Sequence, residues 1–291
     1  MTEAYTGNIS IKDISSLSTL LVGAAKTRLI GGLTTAEKGL PWPLSGTFLL
    51  PFLETVGKKR TPLNIYPLVS CFYYYIRATD DFLDQRQPLA SWEETQKALD
   101  KARLPWEMSL KESSIDDDQK TDITNIAGSL GESIYQKMRE KEQWSQAPSF
   151  TTAYNYRLNT TGLLSEVVAD IWCIFAGVPE NLRFDTIEAT RRLGMVFQFR
   201  DDLFDIKQDS DMDGNLTLAI LTEENERNNL FASLNQTKTP KKIMELMKKS
   251  APRTLRRNLA YIEDEMRCLR ERSPEAASQL SSFIKLVAFA Y

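Results

Sequence analysis

Two acidic motifs of the same spacing, DDFLD at residues 80–84 and DDLFD at residues 201–205, each end an apolar stretch of the chain. The letters just before them include CFYYYI and LGMVF, which contain no charged residue. A helix that is apolar on nearly all sides is buried, and its residues i and i+4 lie on one face. The chain must therefore bury two helices whose ends each present carboxylates in a common direction.

Helical periodicity of apolar residues dominates the rest of the chain. We find no convincing series of strands, no glycine-rich phosphate loop and no linker. The clearest predicted helices span residues 46–57, 64–85, 119–141, 150–177 and 185–208, with three or four more in 216–290. These features predict an all-α fold, a single bundle of about ten helices around a central apolar cavity, with residues 1–291 forming one domain.

The absence of histidine removes several classes of site from consideration. Ser-His-Asp and Cys-His catalysis and histidine-based zinc sites all require imidazole. Any metal must be held by oxygen, which favours magnesium, calcium or manganese. A helical calcium-binding module is disfavoured, because the Asp/Asn-rich loop with its glycine is missing.

Charge and hydropathy restrict the partners and the location. The net charge of −3 gives no field that favours nucleic acid. We find no targeting segment and no run of about 18 apolar residues, so no stable membrane anchor is expected. The cysteines, Cys71, Cys173 and Cys268, are odd in number and lack a CxxC spacing, which is typical of buried thiols in a reducing compartment. A cytoplasmic location is expected.

The acids have two competing interpretations. Carboxylates at i and i+4 repel each other, so they either face water or gather around a cation. Two carboxylate clusters that face one another across a cavity need cations between them. Magnesium prefers one or two carboxylates, water and phosphate oxygens. The pattern therefore predicts a magnesium-bridged diphosphate above an apolar well lined by Phe72, Tyr73, Tyr74, Tyr75, Ile76, Leu164, Val168, Trp172 and Phe197.

Four segments resemble the motifs of the trans-isoprenyl diphosphate synthases. LGMVFQFRDDLFD is similar to their second aspartate-rich motif, and DDFLD to the first. TTGLLSEVVADIWCIFAG resembles their Lys-Thr-Gly helix, and GKKRTP resembles their Gly-Lys-Arg-x-Arg-Pro segment. The order and spacing agree over residues 50–215. The resemblance implies an isoprenoid synthase fold, a homodimer and three magnesium ions, with manganese as the alternative metal.

Site residues follow from the acid pattern and from this resemblance. Catalysis is assigned to the acids of both motifs, Asp80, Asp81, Asp84, Asp201, Asp202 and Asp205. Metal binding is assigned to Asp80, Asp81, Asp84, Asp201, Asp205 and Asp209. Substrate binding is assigned to Lys58, Arg60, Tyr75, Arg77, Arg86, Thr161, Phe197, Gln198 and Arg200. For the cations the open alternatives are surface charges or local salt bridges, and for Tyr75 packing in the core.

Departures from the family pattern bear on the reaction. Thr61 stands where the family has its second arginine, Thr160 where it has the lysine of Lys-Thr-Gly, and Asn215 where a lysine follows the second motif. Of the paired arginines after the first motif, only Arg86 remains. The acids that ionise an allylic diphosphate are thus present, while the cationic site for a second diphosphate is eroded.

The favoured function is therefore a class I terpene cyclase that ionises an allylic prenyl diphosphate of about ten to twenty carbons. The i, i+4, i+8 spacing of Asp201, Asp205 and Asp209 resembles the second metal motif of those cyclases. The alternative is a prenyltransferase that is chain-elongating, head-to-head or specific for a non-diphosphate acceptor. FYYYIRATDDFLD, with Arg77, also resembles the first motif of the head-to-head squalene and phytoene synthases. A non-catalytic partner subunit is disfavoured by the intact acids.

Overall fold

The computed structural model describes residues 46–61, 68, 71–72, 75, 92–206, 214–234 and 240–283. All regular elements in these ranges are helical, and none is a strand, which confirms the all-α prediction. The α-helices are α1 (Gly46–Gly57), α2 (Trp92–Glu112), α3 (Asp117–Glu142), α4 (Phe150–Arg157), α5 (Leu163–Ala176), α6 (Glu180–Phe204), α7 (Leu216–Glu223), α8 (Arg227–Leu234), α9 (Pro240–Ser250), α10 (Pro252–Arg272) and α11 (Pro274–Phe283).

Two predicted long helices have different boundaries. The helix expected over 150–177 contains a π-helical turn, Leu158–Gly162, between α4 and α5. The helix expected over 185–208 begins at Glu180, because the carbonyl of Pro179 already accepts from Leu182 N and Arg183 N at 2.8 and 3.0 Å. It ends at Phe204 rather than at 208.

The C-terminal part was predicted to hold three or four helices, and this count was too low. Five helices, α7 to α11, lie within the described ranges 214–234 and 240–283. Asn225, with φ of 56°, separates α7 from α8. Pro252 and Pro274 each begin a new helix, because proline fits a first turn but breaks the preceding helical ladder. Of the helix predicted over 64–85, residues 68, 71, 72 and 75 are described, and all four are helical.

The chain divides into two compact units. Unit 1 contains Met1–Leu17, Leu130–Glu166 and Ile187–Tyr291, and unit 2 contains Ser18–Ser129 and Val167–Thr186. Folding as one domain over 1–291 stays a prediction.

The core of unit 2 forms around Trp172, which is fully buried. The Trp172 Nε1–H donates to Thr61 Oγ1 at 3.1 Å. Gly57 lies directly against the indole, and a Cβ there would come within 2.5 Å of Trp172 Cζ3. Phe72 is also buried and packs on Trp106 at a centroid distance of 5.5 Å. Phe72 and Trp172, which were predicted to line the apolar well, are therefore buried in this packed core. Tyr73, Tyr74 and Ile76 of the same prediction lie outside the described residues.

The core of unit 1 contains a stack of aromatic rings. Phe199 on α6 is fully buried, and its ring lies 5.6 Å from that of Tyr261 on α10. Phe150 stacks on Tyr261 at 4.3 Å. Tyr154 lies beside them and donates its hydroxyl to the buried Glu265 at 2.6 Å. This stack holds α4, α6 and α10 together.

A buried carboxylate from another part of the chain caps the start of α10. Glu226 is 5% exposed and accepts hydrogen bonds from Thr254 N and Thr254 Oγ1, both at 2.9 Å. It also accepts from Arg253 N and Arg253 Nε, both at 3.2 Å. These donors include backbone N–H groups of the first helical turn, which have no partner within the helix. Glu226 therefore acts as a cap supplied from a distant part of the chain.

Cys71 and Cys173 are buried free thiols, as predicted, and Cys268 is half-buried. By length and composition alone, the described stretch Phe150–Ala176 could cross a membrane. Core helices meet the same criterion, and 44% of its most apolar window is buried inside the fold. The lack of a stable membrane anchor stays a prediction.

Candidate functional site

The second acidic motif lies at the C-terminal end of α6, and its three carboxylates have different surroundings. The Asp201 side chain is 52% exposed, whereas that of Asp202 is 3% exposed. Asp205, the residue after the helix, is half-buried, and its N–H still donates to Asp201 O at 2.8 Å. Asp201 and Asp205 are therefore the acids of this motif that stay accessible to a ligand.

Asp202 makes hydrogen bonds inside the protein with both carboxylate oxygens. Gln198 Nε2 donates to Oδ1 at 2.5 Å, and the backbone N–H of Leu216 donates to Oδ2 at 2.7 Å. Arg157 Nη2 lies 3.8 Å from Oδ1. The buried carboxylate thus joins the end of α6 to the first residue of α7. Asp202 was predicted to be catalytic, and its contacts in the structure are all with other residues of the protein.

Asn215 takes up the position where the resembled family carries a lysine. It is 2% exposed and is the N-cap of α7, where its Oδ1 accepts from Leu218 N at 2.9 Å. Its Nδ2 donates to Asp202 O at the same distance. Asparagine is among the best N-cap residues. A position that carries a cationic side chain in the resembled family is therefore occupied here by a neutral, buried cap.

The Thr-Gly motif forms the π-helical turn Leu158–Gly162, and such turns are frequent at functional sites. Thr161 Oγ1 donates to Gln198 Oε1 at 2.6 Å, so Gln198 connects this turn to Asp202. Thr160, at the lysine position of the family, donates its hydroxyl to Tyr156 O at 2.9 Å. The predicted residues Thr161, Gln198 and Asp202 are thus brought together in one chain of hydrogen bonds.

Arg200 lies beside the exposed Asp201, as expected from the alternative that it forms a local salt bridge. Its Nη1 pairs with Asp201 Oδ1, and its guanidinium lies over the Phe204 ring at 5.4 Å. Arg200 Nε is buried and has no hydrogen-bond partner in the part of the chain that the structure describes. Phe197, one turn before Asp201, is half-buried.

The predicted cations of unit 2 have a different environment. Lys58 and Arg60 are exposed, and Lys58 has φ of 52°, in the left-handed region. Thr61, at the second arginine position of the family, is 4% exposed and accepts from Trp172. Its N–H donates to Glu54 Oε1 at 2.7 Å. Tyr75 is half-buried and helical, which is consistent with a lining residue and with a core residue alike.

The first acidic motif and three other predicted site residues lie outside the described residues. This holds for Asp80, Asp81, Asp84, Arg77, Arg86 and Asp209. Their assignments stay predictions, as do those of the described residues.

The accessible acids of α6 fit a hard cation. Within the described ranges, no three His, Cys, Asp or Glu residues are grouped closely enough to hold a metal by themselves. Magnesium needs only one or two carboxylates when water and phosphate supply the remaining oxygens. Asp201 and Asp205, at the C-terminal end of a helix whose dipole is negative there, meet that requirement. These two residues could hold Mg²⁺ together with a diphosphate.

No family model matches the chain, and no curated protein matches it by sequence. Solved structures do match over almost the full length. Geranylgeranyl pyrophosphate synthase from Corynebacterium glutamicum is 14% identical, with a TM-score of 0.61, covering 99% of this chain and 98% of that one. A decaprenyl diphosphate synthase from Rhodobacter capsulatus is 14% identical, with a TM-score of 0.59, covering 95% and 96%.

The geranylgeranyl pyrophosphate synthetase of Pyrococcus horikoshii gives the same picture, with 14% identity, a TM-score of 0.58 and coverage of 94% and 97%. The chain has the isoprenoid synthase fold. At this identity the likeness establishes the fold and nothing about the reaction. The expected isoprenoid synthase fold is thereby confirmed, although the sequence shares few residues with these neighbours.

Arg157 is the residue of this region that sequence reasoning missed. It touches both Asp202 and the carbonyl of Gly214, at the second acidic motif. It precedes the Thr-Gly motif by one turn and belongs to no motif, so only its charge within an otherwise uncharged helical segment could have drawn notice.

Proposed function

We propose that this chain is a magnesium-dependent enzyme that ionises an allylic prenyl diphosphate and transfers the prenyl group to an acceptor. The observation that supports this best is the pair Asp201 and Asp205 at the end of α6, in an isoprenoid synthase fold. The solved neighbours are described as geranylgeranyl, polyprenyl and decaprenyl diphosphate synthases, which supports prenyl transfer. The substrate would have about ten to twenty carbons.

The residues have distinct tasks in this proposal. Asp201 and Asp205 would hold Mg²⁺, which when bound neutralises the departing diphosphate. The guanidinium of Arg200, which lies beside Asp201, would bind a diphosphate oxygen. The side-chain amide of Gln198 accepts from Thr161 through its oxygen and donates to Asp202 through its nitrogen, and so keeps the end of α6 fixed. The first motif, with Asp80, Asp81 and Asp84, keeps the magnesium-binding role assigned from the sequence and lies outside the described residues.

A second candidate function is cyclisation of a single allylic diphosphate, as the sequence favoured. It draws support from the neutral residues Thr61, Thr160 and Asn215, each of which stands at a cation position of the resembled family. All three are engaged in hydrogen bonds within the protein. A second diphosphate would therefore lack three of the cations that bind it in chain-elongating enzymes.

The two functions are separated by incubating purified protein and Mg²⁺ with geranyl, farnesyl or geranylgeranyl diphosphate, with and without isopentenyl diphosphate. Longer diphosphates formed only with isopentenyl diphosphate would establish transfer. Hydrocarbon or alcohol formed from one allylic diphosphate would establish cyclisation. If neither product forms in any mixture, both functions are rejected for the chain alone, and a missing acceptor or partner subunit becomes the next hypothesis.

Asp201→Asn and Asp205→Asn test the site itself. Each variant is expected to lower turnover by at least about a hundredfold, since one oxyanion-stabilising group contributes on that scale. Glu245→Gln, which removes an exposed carboxylate from α9, is the matched control and should keep full activity. Activity retained in both aspartate variants would contradict the assignment.

A homodimer and a cytoplasmic location belong to the same proposal, and light scattering after gel filtration checks the first.

A further inference from the structure

We propose that Arg157 is a positioning residue of the candidate metal site: it fixes Asp202 and the start of α7, and thereby sets the direction of Asp201 and Asp205. This inference rests on the proposed function in one respect, the identity of the cation that the two aspartates hold. The contacts that carry it are independent of that identity. Arg157, Asp202 and Gly214 all belong to unit 1.

The Arg157 side chain is 16% exposed and bridges two segments that are distant in sequence. Its Nε–H donates to Gly214 O at 3.2 Å, and its Nη2 lies 3.8 Å from Asp202 Oδ1. The guanidinium lies over the Tyr156 ring, with its central carbon 5.7 Å from the ring centre. A guanidinium is planar and always charged, so it serves two oxygens of fixed direction better than an ammonium can.

Gly214 is held in a conformation that makes this bridge specific. Its φ of 71° lies in the left-handed region, which glycine adopts without strain. Tyr156 and Trp144 close over it, and a Cβ there would come within 3.1 Å of Tyr156 Cδ1 and 3.3 Å of Trp144 Cη2. The carbonyl of Gly214 is therefore presented to Arg157 from one side, while the next residue, Asn215, caps α7.

Arg157 also balances the charge of a buried carboxylate. Asp202 is 2% exposed, and the hydrogen bonds from Gln198 and Leu216 come from neutral donors. A buried charge without a counter-charge is costly, and removing one partner of such a pair leaves the other uncompensated. Without Arg157, we expect the Asp202 carboxylate to turn toward water and release Leu216.

The consequence for the site follows from helical geometry. Asp201 and Asp202 are neighbours, so their side chains leave α6 about 100° apart. Anchoring Asp202 through its side chain and through its carbonyl, which accepts from Asn215, fixes the rotation of the last turn of α6. The carboxylates of Asp201 and Asp205 then point away from the buried network in a fixed direction. Rotation of this turn would separate them from a common ligand.

Arg157→Gln and Arg157→Lys test the proposal, with Arg257→Gln as control. Arg257 ties the opposite end of α7 to α10 through Glu223 and Glu224, at 2.8 and 3.2 Å, and does not touch Asp202. Two measurements are made on each purified full-length variant. One is Mg²⁺ affinity in the presence of inorganic pyrophosphate, by calorimetry. The other is hydrogen exchange at the Leu216 amide.

For Arg157→Gln we expect Mg²⁺ affinity to fall about tenfold and Leu216 exchange to accelerate at least as much, as for a residue beyond the ligands themselves. Arg157→Lys should recover part of the affinity. Arg257→Gln should leave affinity unchanged even if its stability falls. The proposal is overturned if Arg157→Gln loses stability like the control but keeps wild-type affinity and Leu216 protection.

The outcomes also separate this inference from the proposed function. If wild type binds Mg²⁺ with pyrophosphate in an Arg157-dependent way but turns over no prenyl diphosphate, the proposed reaction fails and the positioning role stands. If wild type does not bind Mg²⁺ with pyrophosphate at all, both are rejected.

Discussion

At Gly194, α6 passes close to the start of α5, and adding one methyl group there should be destabilising. A Cβ at this position would lie 2.2 Å from Ser165 Oγ and 2.9 Å from Ser165 Cβ. It would also lie 3.3 Å from the Thr161 carbonyl oxygen. The first two distances are shorter than real contacts allow, so Gly194→Ala must move one segment against the other.

Two opposing terms set the size of the effect. Replacing glycine by alanine inside a helix stabilises it by about 0.5–1 kcal/mol, because the unfolded chain loses freedom. Forcing a methyl group into a packed interior costs about 1–3 kcal/mol. The clash involves a Cβ fixed to backbone as well as a hydroxyl, which places the cost near the upper limit. We expect a net loss of about 1–2 kcal/mol in the free energy of unfolding.

Urea unfolding followed by circular dichroism measures this loss, and Gly128→Ala is the matched control. Gly128 lies inside α3, is exposed, and has no atom within 4 Å of a Cβ placed on it. That variant should be more stable than wild type by about 0.5–1 kcal/mol. The difference between the two variants is the steric term alone.

A double variant shows whether the clash has the stated cause. Ser165→Gly removes the atoms at 2.2 and 2.9 Å, so Gly194→Ala should cost less in that background, with a coupling of about 1–2 kcal/mol. A Gly194→Ala variant as stable as the Gly128→Ala control would refute the close approach. Equal cost in both backgrounds would refute the role of Ser165.

Two further predictions concern buried carboxylates. Burial raises the pKa of Glu226, but the hydrogen bonds from Thr254 and Arg253 outweigh it and leave the pKa below that of an ordinary glutamate. Glu226→Gln should therefore lower the free energy of unfolding by about 1.5–3 kcal/mol at neutral pH. This loss shrinks as the pH falls below the unfolded pKa of about 4.3 and through the folded one. If urea titrations gave the same loss at every pH, the ionised carboxylate would not be its cause. Burial and the hydrogen bond to Glu265 raise the pKa of Tyr154. Tyr154→Phe should therefore lower the free energy of unfolding by about 1.5–3 kcal/mol at pH values up to the unfolded pKa of about 10, and by less above it. An unchanged midpoint of unfolding at neutral pH would contradict this.

Local sequence determined the helical class and many of the boundaries. Apolar periodicity without strand alternation left helices as the way to bury the chain. Gly57 ends α1, and Pro252 and Pro274 begin α10 and α11, because the backbone chemistry of these residues acts on their immediate neighbours. The start of α6 was placed too late, at residue 185, although the Pro179 carbonyl already accepts the first helical hydrogen bonds from Leu182 and Arg183.

The sequence also brought the acidic motif to attention but could not assign separate roles to its members. Asp201 and Asp202 are identical residues in adjacent positions, so no local pattern distinguishes the exposed acid from the buried one. The difference arises because Gln198, Leu216 and Arg157, from three separate segments, all contact Asp202.

Tertiary structure likewise decided what the departures from the family pattern mean. Sequence comparison showed neutral residues at cation positions. Only the fold showed that Thr61 and Asn215 are buried hydrogen-bonding groups, one beside Trp172 and one at the start of α7. Periodicity encodes which face of a helix is apolar, but the partner of a polar side chain depends on contacts between distant segments, which exist only in the folded chain.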